Sequence, residues 1–137
     1  MPVTTINSRN KGASAERELA GVLFDALGVR LVRNLDQCRG GGHDLVVAEG
    51  QEGPVCDYLK GFAIEVKRHQ TATPAKISGW WDQAERQALA VGRQPLLAYR
   101  ADRQSWRVVL PVLDSQAEID LKLFIFMARE CLALRAA

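Results

Sequence analysis

The chain has 137 residues, the size of one domain, and its formal net charge at pH 7 is only +2. Hydrophobic residues make up 47% and charged residues 25%, so the chain can bury a core and is neither disordered nor membranous. The most apolar stretch, residues 121–134, is interrupted by charged residues and is too short to span a bilayer. The amino terminus lacks the apolar core of a signal peptide, so we expect a cytoplasmic protein.

Cysteine spacing and charge distribution restrict the function further. The three cysteines, Cys38, Cys56 and Cys131, form no C-x-x-C pair, which favours reduced thiols over a zinc site or a disulfide framework. Residues 60–107 contain nine Lys or Arg against four Asp or Glu, whereas residues 36–59 contain one Arg against five acids. This asymmetry suits a polyanionic partner, although solvated surface charge explains such a pattern about as often.

The first half of the chain is predicted to alternate a helix with short strands. Residues 1–10 are expected to form a flexible basic tail, and residues 11–137 a single domain. A helix is predicted from about Lys11 to Leu27, because apolar residues recur at helical spacing and Gly28 follows. Strands are predicted at residues 29–35 and 44–47, on either side of a triple-glycine turn. Residues 49–61, rich in Gly and Pro, are predicted to be a long hairpin connection.

The second half begins with a strictly alternating strand, residues 62–67. Phe62, Ile64 and Val66 share one face of it. A second helix is predicted over about residues 75–91, strands over 96–99 and 106–110, and a last helix over 115–134. The order α-β-β-β-α-β-β-α predicts an α/β fold, a mixed central sheet with flanking helices.

Charged residues at three places in this pattern are candidates for catalysis. Glu65 and Lys67 project from the same face of the third strand, although an ion pair on a half-exposed strand would be the commoner explanation for them alone. Asp44 follows the glycine turn, where it is either a turn-forming residue or a side chain at the edge of the sheet. Two carboxylates on neighbouring strands are costly to bring together unless a cation lies between them.

Glu16 is the third acidic candidate. It precedes Leu19 by three residues, on the buried-facing flank of the first helix, although a carboxylate in a first helical turn is also favoured by the helix dipole. Glu16, Asp44 and Glu65 together supply the hard oxygen ligands that Mg²⁺ needs for phosphodiester hydrolysis. Lys67 would orient the attacking water or stabilise the developing charge.

The residues in this order resemble a known family. The opening K-G-A-S-A-E-R-E-L at residues 11–19, the strand start at Asp44-Leu45, and I-E-V-K at residues 64–67 resemble archaeal-type (Hjc-like) Holliday-junction resolvases of the PD-(D/E)XK nuclease superfamily. The resemblance runs from about Arg9 to Val112. The long segment at residues 49–61 and the Trp80-Trp81 pair differ from the archaeal type, which suggests a phage-like branch, for which the cytoplasm would be that of the host. It implies a restriction-endonuclease-like core and a homodimer that nicks opposing strands of a four-way DNA junction. It implies Mg²⁺ as cofactor, with Mn²⁺ as a substitute, and neither a nucleotide cofactor nor a membrane.

The resemblance also assigns roles to individual residues. Glu16, Asp44 and Glu65 would be metal ligands or orient them, Lys67 would be the catalytic lysine, and Arg17 a phosphate contact. The other basic residues expected to contact DNA, from the tail and from either side of the catalytic strand, are Arg9, Lys11, Lys60 and Arg68.

Several residues depart from the family pattern or are open to two interpretations. His43 stands where the superfamily name has proline, and it is either a turn residue or a helper on the phosphate side. Gln83, on the second helix, is either a polar residue near the site or a solvated one. Trp80 and Trp81 are expected to pack in the core and between subunits rather than to stack on bases.

Two rival functions remain open. A nuclease of the same fold can act on forks, flaps or linear duplex DNA, because specificity depends on loops and dimer geometry. A degenerate member that only binds DNA is the other alternative, and the retained carboxylates argue against it. The homodimer is expected from the symmetry of the junction and from the apolar second and last helices, which a partner subunit would cover. The alternative is that these apolar side chains only close the core of the monomer.

Overall fold

The computed structural model describes residues 4–34 and 43–132, with side chains from residue 12 onward. It contains ten elements in the order α1 (Thr4–Leu27), β1 (Leu31–Arg33), β2 (Leu45–Val47), α2 (Pro54–Lys60), β3 (Phe62–His69), α3 (Pro74–Val91), β4 (Gln94–Ala101), β5 (Arg107–Val112), β6 (Ser115–Asp120) and α4 (Leu121–Glu130). No helix within these residues is long and apolar enough to cross a membrane. The predicted glycine turn at residues 40–42 lies outside the described residues, as does Cys38.

The six strands form one mixed sheet in the order of the chain. β3 and β4 are parallel, and the other four neighbouring pairs are antiparallel. The parallel pair requires a crossover, which α3 provides. The α/β class and the mixed sheet with flanking helices are therefore confirmed.

Helices cover both faces of the sheet. Leu19 of α1 and Phe124 of α4 pack with Ile64 in the larger core, on one face. Trp81 of α3 packs with Leu97 in a smaller core, on the other face. Because β3 alternates, and because Glu65 is paired in register with Leu97, the side chain of Glu65 emerges on the α3 side.

The first helix is longer than predicted. It begins at Thr4 rather than near Lys11, so residues 4–10 are helical. The flexibility of this segment and the single domain at residues 11–137 stay predictions. The polar sequence of residues 4–10 shows no apolar stripe. However, a helix already anchored by the buried side chains of Ala15, Leu19 and Leu23 extends at little further cost. Glu16 consequently lies in the middle of the helix and not in its first turn.

The segment predicted to be a hairpin connection contains a helix instead. Pro54 occupies the first turn of α2, Gly61 follows its last residue, and Cys56 and Leu59 are buried. Gly and Pro are turn residues, but Pro at the start and Gly at the end are also the usual boundaries of a helix.

The predicted last helix, residues 115–134, is a strand followed by a shorter helix. β6 pairs with β5 along its whole length, after a two-residue turn in which Leu113 has φ 53°. Asp120 then begins α4, since its carboxylate accepts a hydrogen bond from the backbone N–H of Leu123 at 2.7 Å. The polar alternation of residues 115–119 was the available signal for a strand.

Candidate active site

β3 places Glu65 and Lys67 side by side on the sheet face that α3 covers. Nζ of Lys67 lies 3.2 Å from Oε2 of Glu65. The residue Glu65 is only 2% exposed, so this is not the half-exposed surface pair of the alternative interpretation. Burying a charged carboxylate costs free energy unless the group is paired and hydrogen-bonded. This cost favours a functional reason for the presence of Glu65.

Asp44 lies where β2 separates from β3. Within the described residues the register of β2 with β3 consists of one pair, Leu45 with Ile64. The backbone N–H of Asp44 donates to the carbonyl of Ile64 at 2.8 Å, and Oδ2 of Asp44 accepts from the backbone N–H of Val66 at 2.7 Å. The carboxylate thus takes the place of a strand carbonyl in the ladder, and this bond fixes it beside Glu65.

The electrostatics of this pair reflect burial and repulsion. Burial raises the pKa of the Asp44 carboxyl to about 8, and the Glu65 carboxylate adds to the rise, with a smaller contribution from Glu16. The hydrogen bond from Val66 and the charge of Lys67 oppose it. Burial likewise raises the pKa of Glu65, against the charge of Lys67. Without a further cation, burial and mutual repulsion therefore favour a proton on the Asp44–Glu65 pair at neutral pH.

Glu16 approaches the same pair from α1. It is 6% exposed, and it lies close enough to Asp44 and Glu65 to raise the pKa of both. Its Oε1 accepts a hydrogen bond from Nε of Arg33, on β1. Sequence reasoning missed Arg33. The alternation Val-Arg-Leu-Val-Arg in the predicted first strand was the signal that a basic side chain would emerge beside this helix.

These side chains fit a hard divalent cation. Oε1 of Glu65 is buried and has no hydrogen-bond partner in the part of the chain that the structure describes, and the carboxylate of Asp44 is held next to a second negative charge. Over residues 12–34 and 43–132, however, no three His, Cys, Asp or Glu side chains already converge as a complete metal site. Asp44 and Glu65 would therefore hold the ion together with water or phosphate oxygens, and Arg33 pairs with the remaining carboxylate of Glu16.

The raised pKa of Asp44 predicts a dependence of stability on pH. In metal-free protein the unfolded chain loses this proton near pH 3.8 and the folded chain only near pH 8, so the free energy of unfolding falls as pH rises between them. Asp44→Asn cannot lose a proton. Since one pH unit of difference in pKa corresponds to about 1.4 kcal/mol, we expect the variant to be more stable than wild type by about 1 kcal/mol or more at pH 8. Urea unfolding with a chelator present would measure this.

The stabilisation should disappear near pH 4, where residue 44 of the folded protein is uncharged in both wild type and Asp44→Asn. Asp25→Asn, at an exposed position of α1, is the matched control and should show no such trend. An equal difference between Asp44→Asn and wild type at pH 4 and pH 8 would contradict the electrostatic account.

Comparison with known proteins identifies the kind of enzyme that carries this site. Residues 7–130 match the model of a protein family described as "Phage putative PDDEXK endonuclease". The chain belongs to this family of phage PDDEXK endonucleases. The expected nuclease fold and the assignment as a nuclease are thereby confirmed, and PD-(D/E)XK nucleases generally depend on a divalent metal.

One solved structure similar to this PDDEXK endonuclease is that of Hjc from Archaeoglobus fulgidus, a Holliday junction resolvase from an archaeal hyperthermophile. The two chains share 21% sequence identity over 85% of this chain and 88% of that chain, with a TM-score of 0.44. No curated protein matches the chain.

In the PDDEXK endonuclease, His43 is part of the interior beside Asp44. It is 5% exposed, and its Nε2 lies 3.4 Å from a guanidinium nitrogen of Arg93. Burial and, to a lesser extent, Arg93 lower the pKa of His43. Asn34 donates a hydrogen bond to the carbonyl of His43 at 3.0 Å and another from its backbone N–H to the carbonyl of Asp44 at 2.8 Å. These contacts favour a structural role that holds Asp44 in place over a direct contact with phosphate.

The α3 candidates are divided between core and surface. Trp81 is buried in the smaller core, as expected, and Trp80 packs on the rings of His69 at 4.8 Å and Tyr99 at 5.8 Å. Gln83 is partly exposed on α3, and its side chain makes no hydrogen bond among the described residues. Its role stays a prediction.

The predicted DNA contacts differ in availability. Arg17 and Lys60 are exposed, on α1 and at the end of α2. Arg68, by contrast, lies 3.5 Å from Glu18 and 3.4 Å from Asp102, which occupy its guanidinium. Arg9 and Lys11 belong to α1, but their side chains lie outside the part of the chain that is described.

Proposed function

We propose that this endonuclease resolves four-way DNA junctions by metal-dependent hydrolysis, acting as a homodimer. The observation that carries the proposal is the carboxylate pair of buried Glu65 and half-buried Asp44, with the ammonium of Lys67 at 3.2 Å from Glu65. The K-G-A-S-A-E-R-E-L opening, which resembles junction resolvases, supplies the choice of substrate. Mg²⁺ is the proposed ion, with Mn²⁺ as substitute, because both ligands are carboxylate oxygens.

Asp44 and Glu65 would hold the ion, and Glu16 would join them or orient water from the side of α1. When bound, a divalent ion polarises the phosphate and makes water a stronger nucleophile at neutral pH. Lys67 lies beside this position, where its ammonium donates hydrogen bonds to the attacking water or to a phosphate oxygen as negative charge develops. The burial of Glu65 keeps bulk water away and strengthens both interactions.

A four-way junction tests the substrate directly. The protein should be incubated with Mg²⁺ and either a synthetic junction or a linear duplex of the same arm sequence, and the products sized on a denaturing gel. We expect symmetrical nicks in two opposing strands of the junction and little cleavage of the duplex. Equal cleavage of both would favour the alternative of a nuclease for forks, flaps or linear DNA. Binding without cleavage under any metal would favour the inactive DNA-binding module.

The proposed homodimer is supported by the symmetry of the junction and by exposed apolar side chains. One chain carries one carboxylate cluster, and paired incisions require two, related by a two-fold axis. α4 buries Phe124 and Met127 in its own core, as the monomeric alternative expects, but leaves Leu123 45% and Phe126 51% exposed. On α3, Leu89 is 85% exposed. Sedimentation equilibrium at micromolar concentration should therefore give twice the 15.1 kDa of one chain. A monomer that still nicks both strands together would contradict the symmetry argument.

The two arginines Arg17 and Arg68 provide a matched pair for DNA contacts. The Arg17→Ala variant should lower the slope of log affinity against log salt by about one unit, since an exposed guanidinium that neutralises a phosphate releases about one counterion. The Arg68→Ala variant should lower it by less, because Glu18 and Asp102 already pair with that guanidinium. Titration of a labelled junction at several salt concentrations measures both slopes. A larger loss for Arg68→Ala would reverse the assignment.

A further inference from the structure

A cavity of about 630 Å³ opens on the sheet face opposite Glu65 and Lys67. It lies between α1, the turn that joins β4 to β5, and the start of α4. Val22, Leu121 and Ile125 give it an apolar floor, and Arg103 and Lys122 lie at its rim. Its volume is in the range of pockets that bind small organic ligands.

Trp106 forms part of the wall of this cavity and carries an unsatisfied donor. The residue is 7% exposed, and its indole Nε1 is buried without a hydrogen-bond acceptor among the described residues. The guanidinium carbon of Arg100 lies over its ring at 5.7 Å. Buried polar groups are nearly always paired, so an orphaned indole N–H in a cavity wall calls for an acceptor that residues 12–34 and 43–132 do not provide. Because Nε1 has no contact with solvent, a bound acceptor reaches it only after the side chains that cover it move.

The charges around the cavity leave a net positive rim. Glu18 is already paired with Arg68 at 3.5 Å and with Arg100 at 3.1 Å. The carboxylate of Asp120 accepts the N-cap hydrogen bond of α4. Arg103 and Lys122 have no ion-pair or hydrogen-bond partner in residues 12–34 and 43–132. They are therefore available to an anionic ligand.

The backbone at Arg103 supports a role for its side chain. Arg103 has φ 66°, the left-handed region, in the turn between β4 and β5. A side chain other than that of Gly, Asn or Asp costs about 1 kcal/mol there. The long cationic side chain of Arg103 therefore stands at the rim of the cavity, at a position where glycine would fit the backbone better.

We propose that this cavity binds an unpaired nucleotide of the DNA substrate. This inference rests on the proposed function, since DNA is the ligand that such an enzyme meets. A nucleotide combines the three features that the cavity requires: a planar apolar base for the floor, ring acceptors for the indole N–H of Trp106, and a phosphate for Arg103 and Lys122. A paired and stacked base hides its faces and its pairing edge and cannot enter a cavity, so duplex DNA would contact only the rim.

The cavity also lies at the appropriate end of the sheet. Arg100 is paired in register with Arg68, the residue that follows Lys67 on β3. On α1, Glu18 is two residues from Glu16. The cavity and the candidate active site are therefore at the same end of β3, on opposite faces. A strand that leaves a branch point near the active site can turn over this end and enter the cavity.

The indole resonance of Trp106 provides a site-specific test. Protein labelled with ¹⁵N should be titrated with thymidine 5′-monophosphate, with inorganic phosphate and with thymidine, and the Trp106 N–H signal assigned by its loss in Trp106→Phe. We expect a saturable shift of this signal with the nucleotide and a much weaker shift with inorganic phosphate alone or thymidine alone. The signals of Trp80 and Trp81 should not move. No shift at millimolar nucleotide, or an equal shift with phosphate alone, would overturn the proposal.

Arg103→Gly separates binding from folding. The variant relieves the left-handed strain, which offsets the greater freedom of glycine in the unfolded chain, so its thermal midpoint should stay close to that of wild type. It should bind the nucleotide on the order of tenfold more weakly, because one charge-assisted contact is lost. Arg86→Ala, at an exposed position of α3, is the control and should bind normally. Unchanged affinity in Arg103→Gly would contradict the proposal.

Branched DNA gives the decisive comparison. Arg103→Gly should lose on the order of tenfold in affinity for a junction with an unpaired thymidine at the branch, and little for a fully paired junction. Equal losses on both would make Arg103 an ordinary phosphate contact and overturn the cavity assignment. If wild type cleaves no DNA but Trp106 still responds to the nucleotide, the proposed function fails and the site stands. If cleavage is normal and Trp106 does not respond, only the site fails.

Discussion

We expect Asp44→Asn and Glu65→Gln each to lower DNA cleavage by on the order of 10³-fold or more while the protein stays folded. Each substitution removes one of two charged oxygen ligands at nearly constant volume, and metal-ion catalysis contributes several kcal/mol to such reactions. The asparagine at position 44 can still accept the hydrogen bond from the backbone N–H of Val66, so the local backbone should be preserved. Single-turnover cleavage of a labelled junction, with unfolding curves alongside, measures both properties.

Affinity for the junction should persist or increase in these variants, because less negative charge faces the phosphate. Asp25→Asn and Glu52→Gln, both at exposed positions, are the matched controls and should cleave at the wild-type rate. Near-normal cleavage by Asp44→Asn or Glu65→Gln would show that this carboxylate pair is a structural feature rather than the metal site.

Removal of divalent metal should abolish cleavage altogether, and Mg²⁺ or Mn²⁺ should restore it. Ca²⁺ should support binding of the junction without efficient cutting, since its longer and looser coordination positions water poorly. The pKa of Asp44, about 8 without metal, adds a pH dependence. Below pH 8 the ion has to displace a proton from Asp44, so the Mg²⁺ concentration for half-maximal rate should fall as pH rises from 6 to 8.

This dependence is measured by Mg²⁺ titrations of the cleavage rate at several pH values. Full activity in excess chelator would refute metal dependence. A half-maximal Mg²⁺ concentration that does not change with pH would show instead that Asp44 is already ionised in the metal-free enzyme.

Much of the fold could be predicted because it depends on local patterns. The alternation of residues 62–67 predicted both the β3 strand and the common face of Glu65 and Lys67, since side chains of a strand alternate whatever surrounds them. The periodicity of α3 and its Gly92 stop were equally local. The predictions for the segments that form α2 and β6 were wrong because their conformation does not depend on local patterns. Short segments have weak intrinsic preferences, and packing against α4 or pairing with β5 decided their conformation.

The sequence by itself determined the chemistry of the candidate site, namely the three acids, the lysine and their order along the chain. The same order supports the assignment to the nuclease family. Tertiary structure decided how these groups interact. Only the separation of β2 from β3 turns the Asp44 carboxylate onto the backbone N–H of Val66, and only the approach of β1 to α1 pairs Arg33 with Glu16. Burial then raises the pKa of Asp44 to about 8. These effects depend on distances and desolvation between segments far apart in sequence, which residue spacing does not encode.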